Sequence, residues 1–287
     1  MDDYIEYKNF LTSNISYVKI GGVIPHYFEV FTKRGLKKVF KIISDNNYDY
    51  YPIGGCSKIL FPDKFMRHCL VKIAKDKILE KDEYIEVFAG TSLKKLSSYM
   101  INKGYQGFAG LIGIPGNVSG AIANNAGAFG DQIGNLILEV EVYSKNKFFW
   151  INQEKLQFSY RHSNIKKLNY IIYKARLKKI KGSREEEIEK ARNNVKKRLN
   201  SQPNNVHTLG STFKNSQTHS IAFELDRLGA KKIGDKDVKI STKHANFIIN
   251  TADSMQKNFL NILVILRTLV YNKLEYMPEL EIIVLRW

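Results

Sequence analysis

The run Gly107–Gly130, GFAGLIGIPGNVSGAIANNAGAFG, constrains this chain more than any other segment. It holds glycines, alanines and small polar residues, one proline and no charge. Glycine inside a helix or strand costs about 0.5–1 kcal/mol relative to alanine, so the run makes a poor strand or ordinary helix. What it offers is bare backbone, whose N–H groups lie readily against a flat or anionic group. A surface loop is normally polar and often charged. Here Phe108, Leu111, Ile112, Ile114, Val118, Ile122 and Phe129 are interspersed with the glycines. A half-apolar, uncharged, glycine-rich segment predicts burial against something large, a cofactor rather than water.

Composition bounds the rest. The 287 residues suffice for one large domain or two to three smaller ones. The sequence holds no run of eighteen apolar residues, so no membrane span is expected. The acidic, polar start MDDYIEYKNF argues against a secretory signal. Two cysteines, Cys56 and Cys69, are too few for a disulfide framework and fit a reducing cytoplasm. The net charge of +17 raises a nucleic-acid partner. The lysines weigh against it: they are scattered in pairs such as Lys37–Lys38, Lys94–Lys95, Lys166–Lys167 and Lys178–Lys179, with no nucleic-acid motif beside them. A positive field of this size instead draws in a phosphorylated, carboxylated substrate.

Residues 14–50 read as strand, helix, strand, with Leu36, Val39, Phe40 and Ile43 at helical spacing. Strand-like runs follow around IGGCSK. TSLKKLSSYMINKGY reads as a helix capped by Thr91 or Ser92 and stopped at Gly104. LILEVEVYSKNKFFWI and NYIIYKARLKKI read as strands. SREEEIEKARNNVKKRLN is a helix opened by a Ser183/Glu186 capping box, with Lys196, Lys197 and Arg198 matching the macrodipole at its far end. Ile188, Ala191, Val195 and Leu199 form its apolar stripe, and it reads as a connector. Beyond it come the strand entry LGSTFKN, a short helix ending at Gly229, the strand HANFIIN, a long helix with Phe259, Ile262, Leu263, Leu266, Leu269 and Val270 inward, and a closing strand EIIVL. The alternation lacks the rhythm of a doubly wound sheet and predicts an α+β chain.

IGGCSK, Ile53–Lys58, places two glycines between two strands. Their amides and the Ser57 hydroxyl suit a pyrophosphate, although in isolation a plain hairpin turn explains the motif better. It matches neither the phosphate loop ending in Gly-Lys-Ser/Thr nor the dinucleotide fingerprint. A second glycine-rich segment downstream favours one extended phosphate-bearing cofactor.

KIGG at 19–22, IGGCSKIL at 53–60, GLIGIPGNVSGAIANNAGAFG at 110–130, YRHS at 160–163, QPNNVHTLGSTFKN at 202–215, STKHANFIIN at 241–250 and PELEII at 278–283 occur in this order. The ordered set resembles the UDP-N-acetylenolpyruvoylglucosamine reductases over nearly the whole chain. The length is near that of the family's compact form, which lacks an inserted segment. The resemblance implies a two-part FAD-binding region of the vanillyl-alcohol-oxidase-like type, then a C-terminal α+β substrate-binding domain. The divisions it implies are 1–75 and 76–182 for FAD, with 280–287 returning to the first, then a connector helix 183–200 and a substrate domain 201–279. It implies non-covalent FAD, NADPH as co-substrate, a sugar-nucleotide substrate, a cytoplasmic monomer, and no metal, membrane or nucleic-acid partner.

The same resemblance carries three catalytic residues. Ser211 in GSTFKN matches the proton-donating serine, Arg161 in YRHS the arginine that grips the substrate carboxylate, and Glu279 in PELEII the glutamate near the enolate. Glu279 is preferred over Glu281 because Pro278 and the apolar run behind it set the register. Lys214 and Asn215 fall to the substrate. FAD contacts fall to Gly54, Gly55, Cys56, Ser57 and Lys58, then to Pro115, Gly116, Gly120, Ala121, Asn125, Ala126 and Gly127. Lys243 and His244 read as structural. The chain departs from the family at Cys56, usually glycine, at Lys58, usually asparagine, and at Ser216, usually proline. A related FAD oxidase acting on another substrate shares the glycine loops but does not need Arg161, Ser211 and Glu279 together. A basic binding protein on an inherited flavoprotein scaffold is a third reading.

Overall fold

The computed structural model describes residues 2–285 apart from Asn169. Positions 286 and 287 of the expected closing segment, Asn169 of the strand read from NYIIYKARLKKI, and the first residue of the 1–75 division therefore lie outside the described residues. In chain order the elements are β1 (Tyr4–Leu11), β2 (Val23–Val30), α1 (Lys33–Asp45), β3 (Tyr50–Ile53), β4 (Ile59–Leu60), β5 (Cys69–Ile73), β6 (Ile78–Glu80), β7 (Tyr84–Phe88), α2 (Leu93–Asn102), α3 (Val118–Asn124), β8 (Gly127–Ala128), β9 (Asp131–Gln132), β10 (Ile137–Ser144) and β11 (Lys147–Asn152). They continue as β12 (Ile171–Lys178), α4 (Arg184–Ser201), β13 (His207–Ser211), α5 (Ile221–Arg227), β14 (Val238–Ile240), β15 (Phe247–Asn250), α6 (Gln256–Leu274) and β16 (Ile283–Val284).

Two compact units emerge, each discontinuous in sequence. The first holds the described residues of Met1–Lys8, Pro25–Gly55 and Arg67–Arg198; the second holds those of Asn9–Ile24, Cys56–Met66 and Leu199–Trp287. Unit 1 contains a sheet of order β1-β2-β5-β3 and a five-stranded sheet of order β11-β10-β12-β7-β6. In the former, β5 pairs parallel with both β2 and β3. The latter is antiparallel throughout. Its core runs from Phe28 and Leu36 through Val87, Leu96, Phe108 and Ile122 to Ala175. Unit 2 is built on β13-β15-β14, with β16 parallel to β4, around Val18, Leu209, Phe213, Ile248, Phe259 and Leu266.

The local signals explain most elements. Ser92, rather than Thr91, caps α2 by accepting the Lys95 N–H at 3.2 Å, and Gly104 follows that helix at φ +73°. Ser183 accepts the Glu186 N–H at 3.3 Å, while its hydroxyl meets the Glu185 carboxylate rather than that of Glu186. Gly229 ends α5 at φ +76°. Two readings are corrected, and β1 carries no sequence signal, because it is largely exposed and rich in polar residues. The glycine-rich run contains the helix α3: Asn117 caps it, and Val118, Ala121 and Ile122 bury one face, which outweighs the glycine cost. On α4 the buried residues are Glu187 and Ala191, whereas Leu199 is exposed.

Candidate active site

Within unit 1 the two glycine segments meet. A Cβ on Gly54 would stand 2.6 Å from Asn117 Oδ1, and one on Gly55 would stand 2.7 Å from the Gly116 Cα. Only glycine permits that approach. The first turn of α3 is satisfied by the protein itself. Val118 N–H donates to the Thr91 carbonyl, Ser119 N–H to that of Ala89, and Ala121 N–H to that of Asn117. Gly120 N–H donates to Asn117 Oδ1 at 3.2 Å. Gly120 and Ala121 therefore offer no bare amide, contrary to the expectation from sequence, because their donors are committed. What Gly120 presents is room: its absent Cβ would have only Asn117 Oδ1 nearby, at 3.5 Å. Gly54, Gly55, Gly116, Gly120 and Ala126 are half-buried, and Pro115 is exposed.

Asn125 and Gly127 take a different part from the cofactor contact read from sequence. Asn125 is fully buried, at φ +45°. Its Nδ2 donates to Gln132 Oε1 and to the Ser159 carbonyl, and its Oδ1 accepts the Gly134 N–H at 2.9 Å. With no exposed surface and its side-chain polar atoms engaged, it ties loops together. Gly127 is buried in the β8–β9 pair, where a Cβ would stand 2.5 Å from the Asp131 carbonyl oxygen. The close backbone approach there is the chain's own.

The Asn125 tie leads to Arg161. Ser159 and His162 exchange two backbone hydrogen bonds, each 3.1 Å, around Tyr160–Arg161. Arg161 sits at φ +54°, the third position of a tight turn, where glycine or asparagine is usual. Its guanidinium lies 5.0 Å from the Tyr160 ring centroid. Ser163 Oγ donates to the Ala123 carbonyl, a second tie to α3. A second arginine shares this neighbourhood. Arg198 packs against Gly113 and lies 5.7 Å from the Phe129 ring centroid. Burial first, and the Arg161 charge second, push its pKa down. In the sequence Arg198 reads only as part of the macrodipole pattern of α4. Its partner Phe129, in the glycine-rich run, was the available signal.

Unit 2 carries the other candidates. Thr208 pairs with Ile249 and Ser211 with Phe247, so one extra residue bulges on β13 before Ser211. Gly210 in that bulge has φ +72°. Bulges of this kind re-aim the following side chain. Behind Ser211, buried Asn246 pins the strand: its Oδ1 accepts the Phe213 N–H and its Nδ2 donates to the Phe213 carbonyl, both at 2.9 Å. Lys58 Nζ donates to the Ser211 carbonyl at 2.8 Å and pairs with Glu281 Oε1 at 2.8 Å. Ser57 is half-buried, and Cys56 is buried at φ +55°.

The two glutamates of this segment differ in their surroundings. For Glu279 the contrast is plain. Its side chain is 69% exposed and pairs with Lys214 at 3.1 Å, whereas Glu281 is 13% exposed and shares Lys58 with Ser211. Lys214 N–H donates to the Glu279 carbonyl and Glu281 N–H to that of Thr212, so residues 279–281 run antiparallel beside 212–214. Asn215 Oδ1 accepts the Ile221 N–H at 3.1 Å and so serves the start of α5. His244 packs on Phe247, and burial lowers its pKa. Lys243 Nζ donates to the Leu199 carbonyl.

Residues 25–146 match the FAD binding domain family, and residues 202–285 match the C-terminal domain of UDP-N-acetylenolpyruvoylglucosamine reductase. The class is a flavin-dependent oxidoreductase with its own C-terminal module. The reductase of Halalkalibacterium halodurans is 32% identical over 92% of this chain and 89% of its own length. That of Fusobacterium nucleatum is 30% identical over 98% and 99%. The crystal structure of the Thermus caldophilus reductase (MurB) covers 99% of both chains at 26% identity, with a TM-score of 0.85. The chain belongs to the UDP-N-acetylenolpyruvoylglucosamine reductase family. FAD fits the residues present. The space beside Gly120, which a Cβ would fill, and the half-buried Gly54, Gly55 and Gly116 offer uncharged backbone.

Proposed function

We propose that this protein reduces UDP-N-acetylglucosamine enolpyruvate to UDP-N-acetylmuramate, a step of peptidoglycan precursor synthesis, with NADPH as electron source. The observation that carries the reading is the family match over the chain, joined to a Ser211–Lys58–Glu281 group on a bulged strand. When bound, FAD would supply the redox chemistry: the flavin reduced by NADPH would be the hydride source for the enolpyruvyl double bond. Gly54, Gly55, Cys56, Ser57, Pro115, Gly116, Gly120, Ala121 and Ala126 would hold FAD. Asn125 and Gly127 shape the loops around it.

Arg161 grips the substrate carboxylate. A guanidinium fork binds both oxygens as negative charge flows into them. Ser211 gives its hydroxyl proton to the carbon next to that carboxylate. A hydroxyl is a weak acid, and positioning is where such a donor gains about 10²–10⁴ in rate. Glu281 takes the place read for Glu279. Support comes from its burial and its link through Lys58 to the Ser211 carbonyl. Lys214 and Asn215 are assigned to the sugar nucleotide. Residues 1–75 and 76–182 are assigned to FAD, 183–200 to a connector and 201–279 to substrate. A cytoplasmic monomer without nucleic-acid partner completes the reading; Cys56 and Cys69, both buried and not joined in a disulfide, support a reducing compartment.

The test separates the two half-reactions. The purified protein is expected to be yellow, to bleach with NADPH and to recover its colour with the enolpyruvyl substrate. Ser211→Ala and Glu281→Gln keep the bleaching and slow the recovery by about 10²-fold or more. Glu279→Gln recovers at close to the normal rate. A colourless protein that takes up no FAD would sink the reading. Equal loss of both half-reactions in Ser211→Ala would remove the role given to that serine.

A further inference from the structure

The glycine loop that holds Lys58 reads as a phosphate-binding turn, yet the Lys58 ammonium is spent elsewhere. It donates to the Ser211 carbonyl at 2.8 Å and pairs with Glu281 at 2.8 Å. The side chains are 25% and 13% exposed, so the pair is largely out of water. Both ends are anchored to one strand pair. Ile283 N–H donates to the Lys58 carbonyl at 2.7 Å, and the next residue, Ile59, pairs with Ile283. Gly210, immediately before Ser211, takes a left-handed conformation, and a Cβ there would stand 3.3 Å from Lys58 Nζ. A glycine bulge is the softest piece of backbone in a strand. Something must hold it for a serine to deliver a proton along one line.

We propose that Lys58 is a positioning residue for proton delivery, clamping the Ser211 carbonyl to the Glu281 carboxylate, and is not a ligand of the cofactor diphosphate. The proposal rests on the reductase reading above. Lysine does this where a shorter side chain at the same position would not span two acceptors, because its ammonium carries three donors on a long stem. Removing one member of a largely buried pair leaves the other uncompensated, so the bulge is expected to shift when Lys58 is truncated. A displacement near 1 Å of a reacting group costs about 10²-fold.

The experiment uses the flavin-loaded full chain as wild type, Lys58→Met and Lys58→Arg. Three quantities are read: FAD retained per chain after gel filtration, the rate of flavin bleaching by NADPH, and the limiting rate of flavin re-oxidation by the enolpyruvyl sugar nucleotide. The expected result for Lys58→Met is unchanged FAD retention and bleaching, with re-oxidation slowed by about 10²-fold. The substrate concentration giving half-maximal re-oxidation stays near that of wild type. Lys58→Arg, which keeps a multidentate cation, recovers most of the re-oxidation rate. Loss of FAD from Lys58→Met with normal re-oxidation of the loaded fraction overturns the proposal and restores the diphosphate role. Normal values throughout also overturn it. If Lys58→Met does not fold, Lys58→Arg decides: a folded variant with the full loss of re-oxidation counts against the clamp. A wild-type protein that bleaches with NADPH but is never re-oxidised by this substrate fails at the reductase reading instead.

Discussion

Arg161 shows at the scale of one residue how geometry and chemistry compete. An L-residue at φ +54° sits in the left-handed region, at a cost of about 1–2 kcal/mol. Backbone strain of this kind persists where the surroundings over-determine it, and it gathers at functional positions. The two reciprocal hydrogen bonds of Ser159 and His162 supply that constraint. Glycine relieves the strain and alanine does not. Arg161→Gly is therefore expected to be about 1 kcal/mol more stable than Arg161→Ala in denaturant titration, while both lose re-oxidation by substrate. Equal stabilities would mean that the turn holds no strain. YRHS disclosed a candidate carboxylate ligand but not its backbone, because φ is set by the hairpin closing around it. The choice between Glu279 and Glu281 has the same character. Both lie in PELEII two residues apart, and only their partners Lys214 and Lys58 separate them.

At the scale of elements, Asn125 joins the end of α3 to the Gln132–Gly134 segment and to the Arg161 turn. Asn125→Ala strips three hydrogen bonds from a fully buried position and leaves alanine in a left-handed conformation. We expect a loss of about 3 kcal/mol by chemical denaturation and weaker substrate binding, because the Ser159 carbonyl keeps the His162 N–H but loses the donor that ties the Arg161 turn to α3. A loss under 1 kcal/mol would mean that the loops hold without it. A second junction gathers around Glu80 at the end of β6. It accepts the Tyr99 and Tyr105 hydroxyls at 2.7 and 2.9 Å and pairs with Lys103 and Lys179. Tyr99 foremost, these partners hold the Glu80 carboxyl at about 2, against an ordinary 4.5. A depressed carboxyl stabilises the fold above its unfolded pKa and loses that contribution as pH falls through the window between the two values. Wild type is thus expected to lose melting temperature more steeply than Glu80→Gln below about pH 5. Parallel curves would show that the junction contributes nothing. Caps and periodicity made α1, α2, α4 and α6 legible in the sequence. α3 was hidden, because glycine and alanine content speaks against a helix until its apolar face finds a core.

At the scale of the whole molecule, the +17 charge is the property that a distant substrate meets first. Exposed charge is screened within about 8 Å at physiological salt. For a carboxylated diphosphate substrate, kcat/KM is expected to fall as salt rises while kcat holds, since the field acts on encounter. A salt-independent kcat/KM would reduce the charge to composition alone. The amino-acid sequence by itself determined the family, through ordered short motifs, and most of the regular elements. Those signals live within a few residues of one another, in helical spacing, end caps and the glycines of tight turns. Tertiary structure decided that Asn125 is a tie, that Glu281 rather than Glu279 pairs with Lys58, and that Lys58 reaches the Ser211 carbonyl. Each of these depends on burial and on a partner brought from far along the chain, and neither is written in local spacing.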